Sequence, residues 1–358
     1  MSTSRSLKPK IHAVDLFCGA GGLTCGLRQA GIKVKAGIDV EKRCEFAYAH
    51  NNKTKFIAQS VTDLSGDDLA RLTGSADYTL LAGCAPCQAF SSYNQKATNA
   101  DPRWNLLNEF GRLIRESKPD FVTMENVPQL AKKDVFEKFL KSLEECGYHK
   151  PDWKIVKCEE YGLPQRRHRL VLLASRLAPI KVLSPDEFGA PRRTVRDVIG
   201  KLPPVAAGET GNKDPLHSAR RLSLLNIERI RASRPGGTWK DWPEYLKLEC
   251  HKRKSGASYT GVYGRMQWDA PSPTMTTQFI GYGSGRFGHP EQDRALTLRE
   301  GAILQSFPEN YEFVAPGEPL ELNVVARMIG NAVPVMIGKL IGKSIFAHIN
   351  SLNICKSS

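Results

Sequence analysis

The chain has 358 residues, 41% hydrophobic and 25% charged, which is enough for one large core and a smaller second one. This composition excludes a disordered, fibrous or collagen-like chain. The basic N-terminus leads into no apolar signal core. We also find no apolar run of the roughly 18 residues that cross a bilayer, so we expect an intracellular, cytoplasmic protein.

The net charge and the spacing of the cysteines indicate which partner and which redox state to expect. Fifty-one Lys and Arg against 37 Asp and Glu give a net charge of +14, which favours a polyanionic partner, with a generally basic surface as the equal alternative. The nine cysteines are scattered from Cys18 to Cys355 without the dense, even spacing of a secreted disulfide scaffold. We therefore expect reduced thiols.

The first half of the chain has the pattern of an α/β fold. Residues 11–39 predict a βαβ unit, in which the apolar run IHAVDLF is broken by GAGG and followed by a helical pattern and the extended KVKAGID. Alternating strands and helices predict a mainly parallel sheet. Further strands are predicted at 78–83, 120–126 and 169–175, with a helical pattern at 134–147.

The amino-acid composition changes after Ser175. Residues 181–290 are rich in Pro, Gly, Ser and Thr and hold 18 Lys and Arg against 10 Asp and Glu, a net +8, which predicts a second, more irregular and basic domain. Its glycine-rich stretch 281–290 has the composition of a flexible loop. From Asn323 onward an apolar helical pattern, interrupted by GNAVP, is expected to rejoin the first core.

The glycine-rich segment 15–22, DLFCGAGG, lies at the predicted turn from strand to helix. Glycines there let a ligand approach the backbone, and a helix N-terminus offers free N–H groups. Asp39, one strand later, lies where α/β nucleotide folds place an acid on ribose hydroxyls. These features favour a nucleoside cofactor over an ordinary tight turn.

Cys84 and Cys87 follow the strand 78–83 and allow three interpretations. They form a redox pair, or half of a zinc site that lacks a visible second pair, or Cys87 is a covalent nucleophile activated by a nearby base or cation. Glu125, at the end of strand 120–126, is a candidate acid or base on the same rim, with a strand-capping residue as the alternative. Residues 165–169, QRRHR, offer guanidinium groups to a phosphate or a polarised substrate, or form a solvated edge.

Taken in order, these segments resemble the motif series of the cytosine-5 DNA methyltransferases. The matching blocks are DLFCGAGG, APCQAFS, MENV, QRRHR, RALTLREGAILQSFP and IGNAVP. The resemblance implies a Rossmann-like, S-adenosylmethionine-dependent methyltransferase sheet with a smaller irregular target-recognition domain. We expect a catalytic and cofactor-binding domain over 1–180, the target-recognition domain over 181–321, and a helical segment over 322–358 that packs back on the catalytic domain.

The resemblance also assigns roles to individual residues. Cys87 would add to carbon 6 of cytosine, Glu125 would hydrogen-bond or protonate ring nitrogen 3, and Arg167 would support the base from its carbonyl side. The base that removes the carbon-5 proton is not assigned, and no metal is expected. Further residues expected to contact the substrate are Pro86, Gln88, Ser91, Arg103, Asn126, Gln165 and Arg169.

The cofactor would be S-adenosylmethionine. The family usually has an aspartate just before an Ile/Val-Thr pair that follows the second strand. This chain has Ser60 before Val61 and Thr62, so either Ser60 or the shifted Asp63 would read the cofactor adenine. The residues expected to bind the cofactor are Phe17, Gly19, Gly21, Gly22, Asp39, Val40, Ser60, Val61, Asn331 and Val333.

The implied reaction requires a cytosine flipped out of duplex DNA, because carbon 5 and carbon 6 are inaccessible inside the base stack. We therefore expect a monomer that binds double-stranded DNA, with a cognate restriction endonuclease of the same system as a candidate partner. Two alternatives remain: a methyltransferase of similar layout acting on RNA such as tRNA, and a non-catalytic DNA-binding homologue.

Overall fold

The computed structural model describes residues 8–85, 105–253, 256 and 258–357. The chain forms two compact units. The described residues of the first lie within 1–157, 168–189 and 333–358, and those of the second within 158–167 and 190–332. These bounds differ from the predicted domains: residues 181–189 belong to the first unit, whereas 158–167 and 322–332 belong to the second.

A seven-stranded sheet forms the centre of the first unit, in the order β3-β2-β1-β4-β5-β7-β6. Strands β1 to β5 are parallel, β7 runs antiparallel to β5, and β6 runs antiparallel to β7. The predicted α/β class with a mainly parallel sheet is confirmed. The strands are β1 Ile11–Leu16, β2 Lys33–Asp39, β3 Lys55–Ala58, β4 Tyr78–Gly83, β5 Phe121–Asn126, β6 Asp152–Lys157 and β7 His168–Ser175, and the second unit adds the pair β8 Thr210–Gly211 and β9 Asp214–Ser218.

Helices cover the sheet of the first unit because their apolar faces repeat at helical spacing. On α4 and α5, for example, Phe110 and Phe139 stack with ring centroids 5.8 Å apart in the same buried core as Val14, Leu16 and Leu172. The helices of the first unit are α1 Gly22–Ala30, α2 Glu45–Asn52, α3 Gly66–Thr73, α4 Asn105–Ser117, α5 Asp134–Glu145, α6 Pro185–Phe188 and α12 Val335–Ser357. Those of the second unit are α7 Val195–Ile199, α8 Leu224–Ala232, α9 Glu249–Lys252, α10 Leu298–Leu304 and α11 Leu322–Asn331.

The C-terminal helix α12 completes the first unit by packing on α1. The backbones approach so closely that a Cβ on Gly26 would overlap the carbonyl oxygen of Val335, and one on Gly338 would overlap that of Leu23. The predicted interruption at GNAVP is the break between α11 and α12. Its proline cannot continue a helix without losing a hydrogen bond.

One stretch, Leu322–Ile354, passes the length and hydropathy test for a membrane span, contrary to the sequence-based expectation. Of its most apolar window, 72% is buried inside the structure. Such burial is typical of a core helix, whose apolar character follows from the protein surface that it covers.

The second unit has short helices and little sheet, and its core buries polar and charged side chains among hydrophobic ones. Trp239 and Trp242 are buried with Leu246. Arg294, fully buried, donates to both carboxylate oxygens of Glu300, at 2.7 and 2.8 Å, and Glu300 also completes a capping box with Thr297 at the start of α10. The stretch 281–290, predicted to be a flexible loop, has five of its ten residues buried, Phe287 and His289 among them.

Candidate active site

The glycine-rich turn between β1 and α1 has an unusual backbone. Phe17, Gly19 and Gly21 have φ angles of 59°, 49° and 89°, a conformation that glycine adopts without a steric penalty. Gly21 caps α1 and offers no side chain to the first N–H groups, and Gly22 is the first residue of the helix. The turn thus presents backbone N–H groups at a helix N-terminus, as a polar ligand requires.

Asp39 ties the end of β2 to this turn. Its Oδ2 accepts a hydrogen bond of 2.9 Å from the backbone N–H of Gly19, and its Oδ1 accepts one of 2.9 Å from Glu41. The next side chain, Val40, is 70% exposed, unusual for a large apolar group at a strand end. The Asp39 carboxylate and the exposed Val40 side chain therefore lie together beside the turn. The carboxylate oxygens can accept further hydrogen bonds, and Val40 can contact an apolar part of a ligand.

Ser60 caps a short 3-10 helix, Val61–Asp63, at the end of the neighbouring β3. Its hydroxyl accepts a hydrogen bond from the backbone N–H of Thr62 and lies 2.7 Å from the Thr62 hydroxyl. Val61 is buried, whereas Asp63 is exposed and accepts a hydrogen bond from Thr62 through Oδ1. Both candidates for adenine recognition therefore lie on one turn, and each already has a partner within it.

Asp15, inside the same motif, is a buried residue that was not among the predicted site residues. Its Oδ2 accepts a 2.6 Å hydrogen bond from Thr24, whose hydroxyl also lies 2.9 Å from that of Tyr48. Its Oδ1 has no hydrogen-bond partner in the described part of the chain. Burial, opposed by the Thr24 hydrogen bond and reinforced by the charge of Asp39, raises the pKa of Asp15 from 3.8 to about 7.

Three adjacent strands converge on Glu125. The strand β5 that carries it lies between β4 and β7, and because β7 is antiparallel its beginning reaches the rim where β4 and β5 end. The Glu125 side chain is only 4% exposed. Its Oε2 accepts a hydrogen bond from the Cys84 thiol at 2.9 Å, and its Oε1 lies 3.0 Å from the Nε of Arg169.

The contact between Arg169 and Glu125 is an ion pair without an aligned hydrogen bond, since Oε1 of Glu125 receives none from the described residues. The neighbouring Asn126 is 1% exposed, donates to the backbone oxygen of Ala85 at 3.1 Å and accepts from the Val127 N–H. Asn126 thus fixes the backbone that follows β4.

Several predicted site residues lie in the segment 86–104, which follows Ala85. Pro86, Cys87, Gln88, Ser91 and Arg103 lie outside the described residues. Their roles stay predictions, including that of Cys87.

Gln165 and Arg167 belong to the second unit and are held by its backbone. Gln165 is fully buried, donates to the carbonyl of Leu304 at 3.0 Å and accepts from the N–H of Met275 at 2.9 Å. Arg167, 3% exposed, donates to the carbonyl of Met275 at 3.0 Å and, over longer distances, to those of Gly330 and Ala332. The arginine beside Glu125 is therefore Arg169, whereas Arg167 is engaged with main-chain oxygens.

The last predicted cofactor contacts lie on either side of the break between α11 and α12. Asn331 ends α11 in the second unit with an exposed side chain, and Val333, 7% exposed, begins the C-terminal part of the first unit. Within the described ranges, no group of three or more His, Cys, Asp or Glu side chains could hold a metal ion.

Comparison with known proteins adds independent information. A sequence model of C-5 cytosine-specific DNA methylases matches residues 11–347. The chain is 50% identical to the Type II methylase M.HgiDII of Herpetosiphon aurantiacus, over 95% of this chain and 96% of the relative. It is 32% identical to the Type II methyltransferase M.Eco47II of Escherichia coli, over 95% and 80% of the two chains.

The fold is also found among solved structures. A candidate DNA modification methyltransferase encoded within an Escherichia coli prophage superposes with a TM-score of 0.72. The alignment covers 95% of this chain and all of the other at 22% identity, so it supports the fold alone.

Proposed function

Because the chain belongs to the C-5 cytosine-specific DNA methylase family, and is thus a DNA cytosine-5 methyltransferase, we propose that it methylates a flipped cytosine through a covalent adduct with Cys87. The observation that carries this proposal is that the side chains of Cys84, Glu125 and Arg169 meet at one rim of the sheet. Cys84 lies three residues before Cys87 in the chain. A buried carboxyl beside a cation at that rim is the acid that attack on a pyrimidine needs.

Each group in this reaction has a separate task. The Cys87 thiolate adds to carbon 6, and the electron pair of the ring double bond moves to carbon 5. Glu125 stabilises the charge that develops on the ring by sharing a proton with nitrogen 3. After methyl transfer, a base removes the carbon-5 proton, the ring double bond re-forms and Cys87 leaves.

For the arginine that assists Glu125 we revise the sequence-based assignment. Arg169 has a guanidinium 3.0 Å from the Glu125 carboxylate, so it is the better candidate to support the base and the acid together. Arg167 and Gln165, with side chains engaged by backbone groups of the second unit, are better explained as residues that shape that unit.

S-adenosylmethionine fits the residues at the glycine-rich turn. When bound, it supplies a methyl group on a sulfonium, an electrophile that carbon 5 can attack. Asp39 retains lone pairs for ribose hydroxyls, the exposed Val40 offers an apolar surface to adenine, and Gly19 and Gly21 let the ligand approach the backbone. Phe17, Gly22, Ser60, Val61, Asn331 and Val333 complete the proposed set.

The second unit is the proposed target-recognition domain. Its main segment carries most of the excess positive charge of residues 181–290, which suits contacts to phosphates and to base edges in duplex DNA. We further propose a cytoplasmic monomer. The Type II relatives suggest a cognate restriction endonuclease as its partner in the cell.

Trapping with 5-fluorocytosine tests the proposed chemistry. A duplex with this base at the target should form a denaturation-resistant adduct, because after methyl transfer fluorine cannot leave carbon 5 as a cation and Cys87 stays bound. The adduct should form only when S-adenosylmethionine is present. Cys87→Ser should abolish the adduct, because a hydroxyl is a far poorer nucleophile than a thiolate, whereas Cys84→Ser should leave trapping largely intact.

The outcomes separate the alternatives. A redox role for Cys84 and Cys87 predicts no adduct, an RNA substrate predicts an adduct on ribose strands alone, and a binding module predicts reversible complexes. An adduct that survives Cys87→Ser but is lost in Cys84→Ser would overturn the assignment of the nucleophile.

A further inference from the structure

Cys84 is the first residue after β4, three positions before the proposed nucleophile, and its thiol contacts the proposed acid. The distance from its Sγ to Oε2 of Glu125 is 2.9 Å. The Glu125 side chain is 4% exposed, and besides this hydrogen bond its carboxyl group forms an ion pair with Arg169. A hydrogen bond in a buried, low-dielectric site is stronger than the same bond at the surface.

The two oxygens of the Glu125 carboxylate differ in what they bind. Oε2 accepts the hydrogen bond from Cys84, whereas Oε1 is buried beside Arg169 and accepts no hydrogen bond from the described residues. Leaving a buried carboxylate oxygen without a hydrogen bond is costly, and such atoms are rare unless a ligand supplies the missing partner. Oε1 is therefore the oxygen with capacity left for a substrate.

We propose that Cys84 is a positioning residue: its thiol holds Oε2 of Glu125 so that Oε1 faces ring nitrogen 3 of the target cytosine. This inference rests on the proposed function. A carboxyl group can rotate about its last bond, and holding one oxygen fixes where the other points. Arg169 lies on the Oε1 side and limits the same rotation electrostatically.

A cysteine suits this task because it is a small, weak donor. A thiol hydrogen bond orients the carboxylate, and the thiol has no fixed charge that would compete with the base for Oε1. Serine keeps the donor at the same position, alanine removes it with little change of volume, and a donor-free valine fills the space. These three substitutions separate hydrogen bonding from packing.

The test compares rates of adduct formation on a 5-fluorocytosine duplex at saturating DNA and S-adenosylmethionine. Cys84→Ala should slow adduct formation about tenfold, the effect of one lost hydrogen bond, with unchanged dissociation constants for cofactor and DNA. Cys84→Ser should recover the rate to within about threefold. Cys146→Ala, which removes a thiol at the end of α5, is the matched control and should react normally.

A double-mutant cycle tests whether Cys84 acts through Glu125. In a Glu125→Gln background, Cys84→Ala should slow the remaining reaction less than twofold, because the carboxylate that the thiol orients is gone. An additive tenfold loss would show that Cys84 acts elsewhere and would overturn the proposal. Equal impairment of Cys84→Ala, Cys84→Val and Cys84→Ser would also overturn it, since that pattern reflects packing.

These results are distinct from a failure of the proposed function. If the unaltered chain formed no adduct, the proposed reaction would fall and this inference with it. If the unaltered chain formed the adduct and Cys84→Ala were as fast, only the role of Cys84 would fall. Should Cys84→Ala fail to fold by circular dichroism, the comparison of Cys84→Val with Cys84→Ser gives the same decision.

Discussion

The two units treat buried carboxylates differently. Three are buried among the described residues: Asp15 and Glu125 in the first unit and Glu300 in the second. Asp15 and Glu125 each keep one oxygen without a hydrogen bond, whereas Glu300 accepts two from Arg294 and one from the Thr297 N–H. A saturated buried carboxylate is typical of structural cross-links, and an unsaturated one marks a place where a ligand or a proton completes the site.

The pKa directions follow the same division. Burial alone would raise the pKa of Glu300, but hydrogen bonds and charge from Arg294 lower it below its usual value. Asp15 has no cation to compensate its burial, so its pKa rises to about 7. At neutral pH the Arg294–Glu300 ion pair is therefore formed, whereas Asp15, at the end of β1, titrates near this pH.

The largest expected effect comes from breaking the saturated pair. Arg294→Met leaves the Glu300 charge buried without its partner and should lower the free energy of unfolding by about 3–5 kcal/mol. Urea denaturation followed by tryptophan fluorescence measures this, because Trp239 and Trp242 are buried in the same unit. As a control, Arg196→Met removes an exposed ion pair with Asp269 and should lower the free energy of unfolding far less, because solvent screens an exposed pair. Similar losses in the two variants would contradict the comparison.

A smaller, pH-dependent effect is expected at Asp15. With its folded pKa raised, the native state binds more protons than the unfolded state above pH 3.8, so stability falls as pH rises towards 7. Asp15→Asn keeps an acceptor for Thr24 but does not titrate. Relative to this variant, the unaltered chain should lose about 1.6 kcal/mol between pH 5.5 and 7, because the slope falls from about 1.36 kcal/mol per pH unit to half of that at the folded pKa. A difference in urea midpoint that is flat across this range would count against a raised pKa.

The smallest effect concerns the cofactor. Ser60→Asp keeps a good N-cap for the turn Val61–Asp63 and adds a charged acceptor, so it should tighten S-adenosylmethionine binding by about threefold to tenfold. Calorimetry at fixed ionic strength measures the dissociation constant. Unchanged or weaker binding would favour Asp63, and Asp63→Asn should then weaken binding.

Much of the fold was predictable because its strands are short apolar runs closed by turn residues. The strands at 78–83 and 120–126 appeared as predicted, and the interruption of the last helices was visible in GNAVP. β3 was missed because its four residues, Lys55–Ala58, are too few for a pattern, and β6 because its partly exposed edge has a weak apolar alternation. The division into units could not be predicted, since residues 158–167 join the second unit through contacts distant in sequence.

The candidate site was predictable in its residue types but not in its pairings. In QRRHR, Arg167 and Arg169 have the same alternation, and only the antiparallel direction of β7 brings Arg169 beside Glu125. From the sequence, Cys84 was considered only as the partner of Cys87 in a redox pair or a zinc site, because its contact with Glu125 depends on the parallel alignment of β4 and β5. The stretch 281–290, half of whose residues are buried, was predicted as a flexible loop for a related reason, since glycines that permit close packing are also typical of loops.

The glycine contact between α1 and α12 bears on how the protein is made. The first unit receives its last helix only after the whole second unit has left the ribosome, because α12 follows residue 332 in the chain. Until then α1, which begins at the glycine-rich turn, lacks the helix that packs against it. A nascent chain from which α12 has not yet emerged therefore lacks the helix that completes the unit carrying the proposed cofactor site.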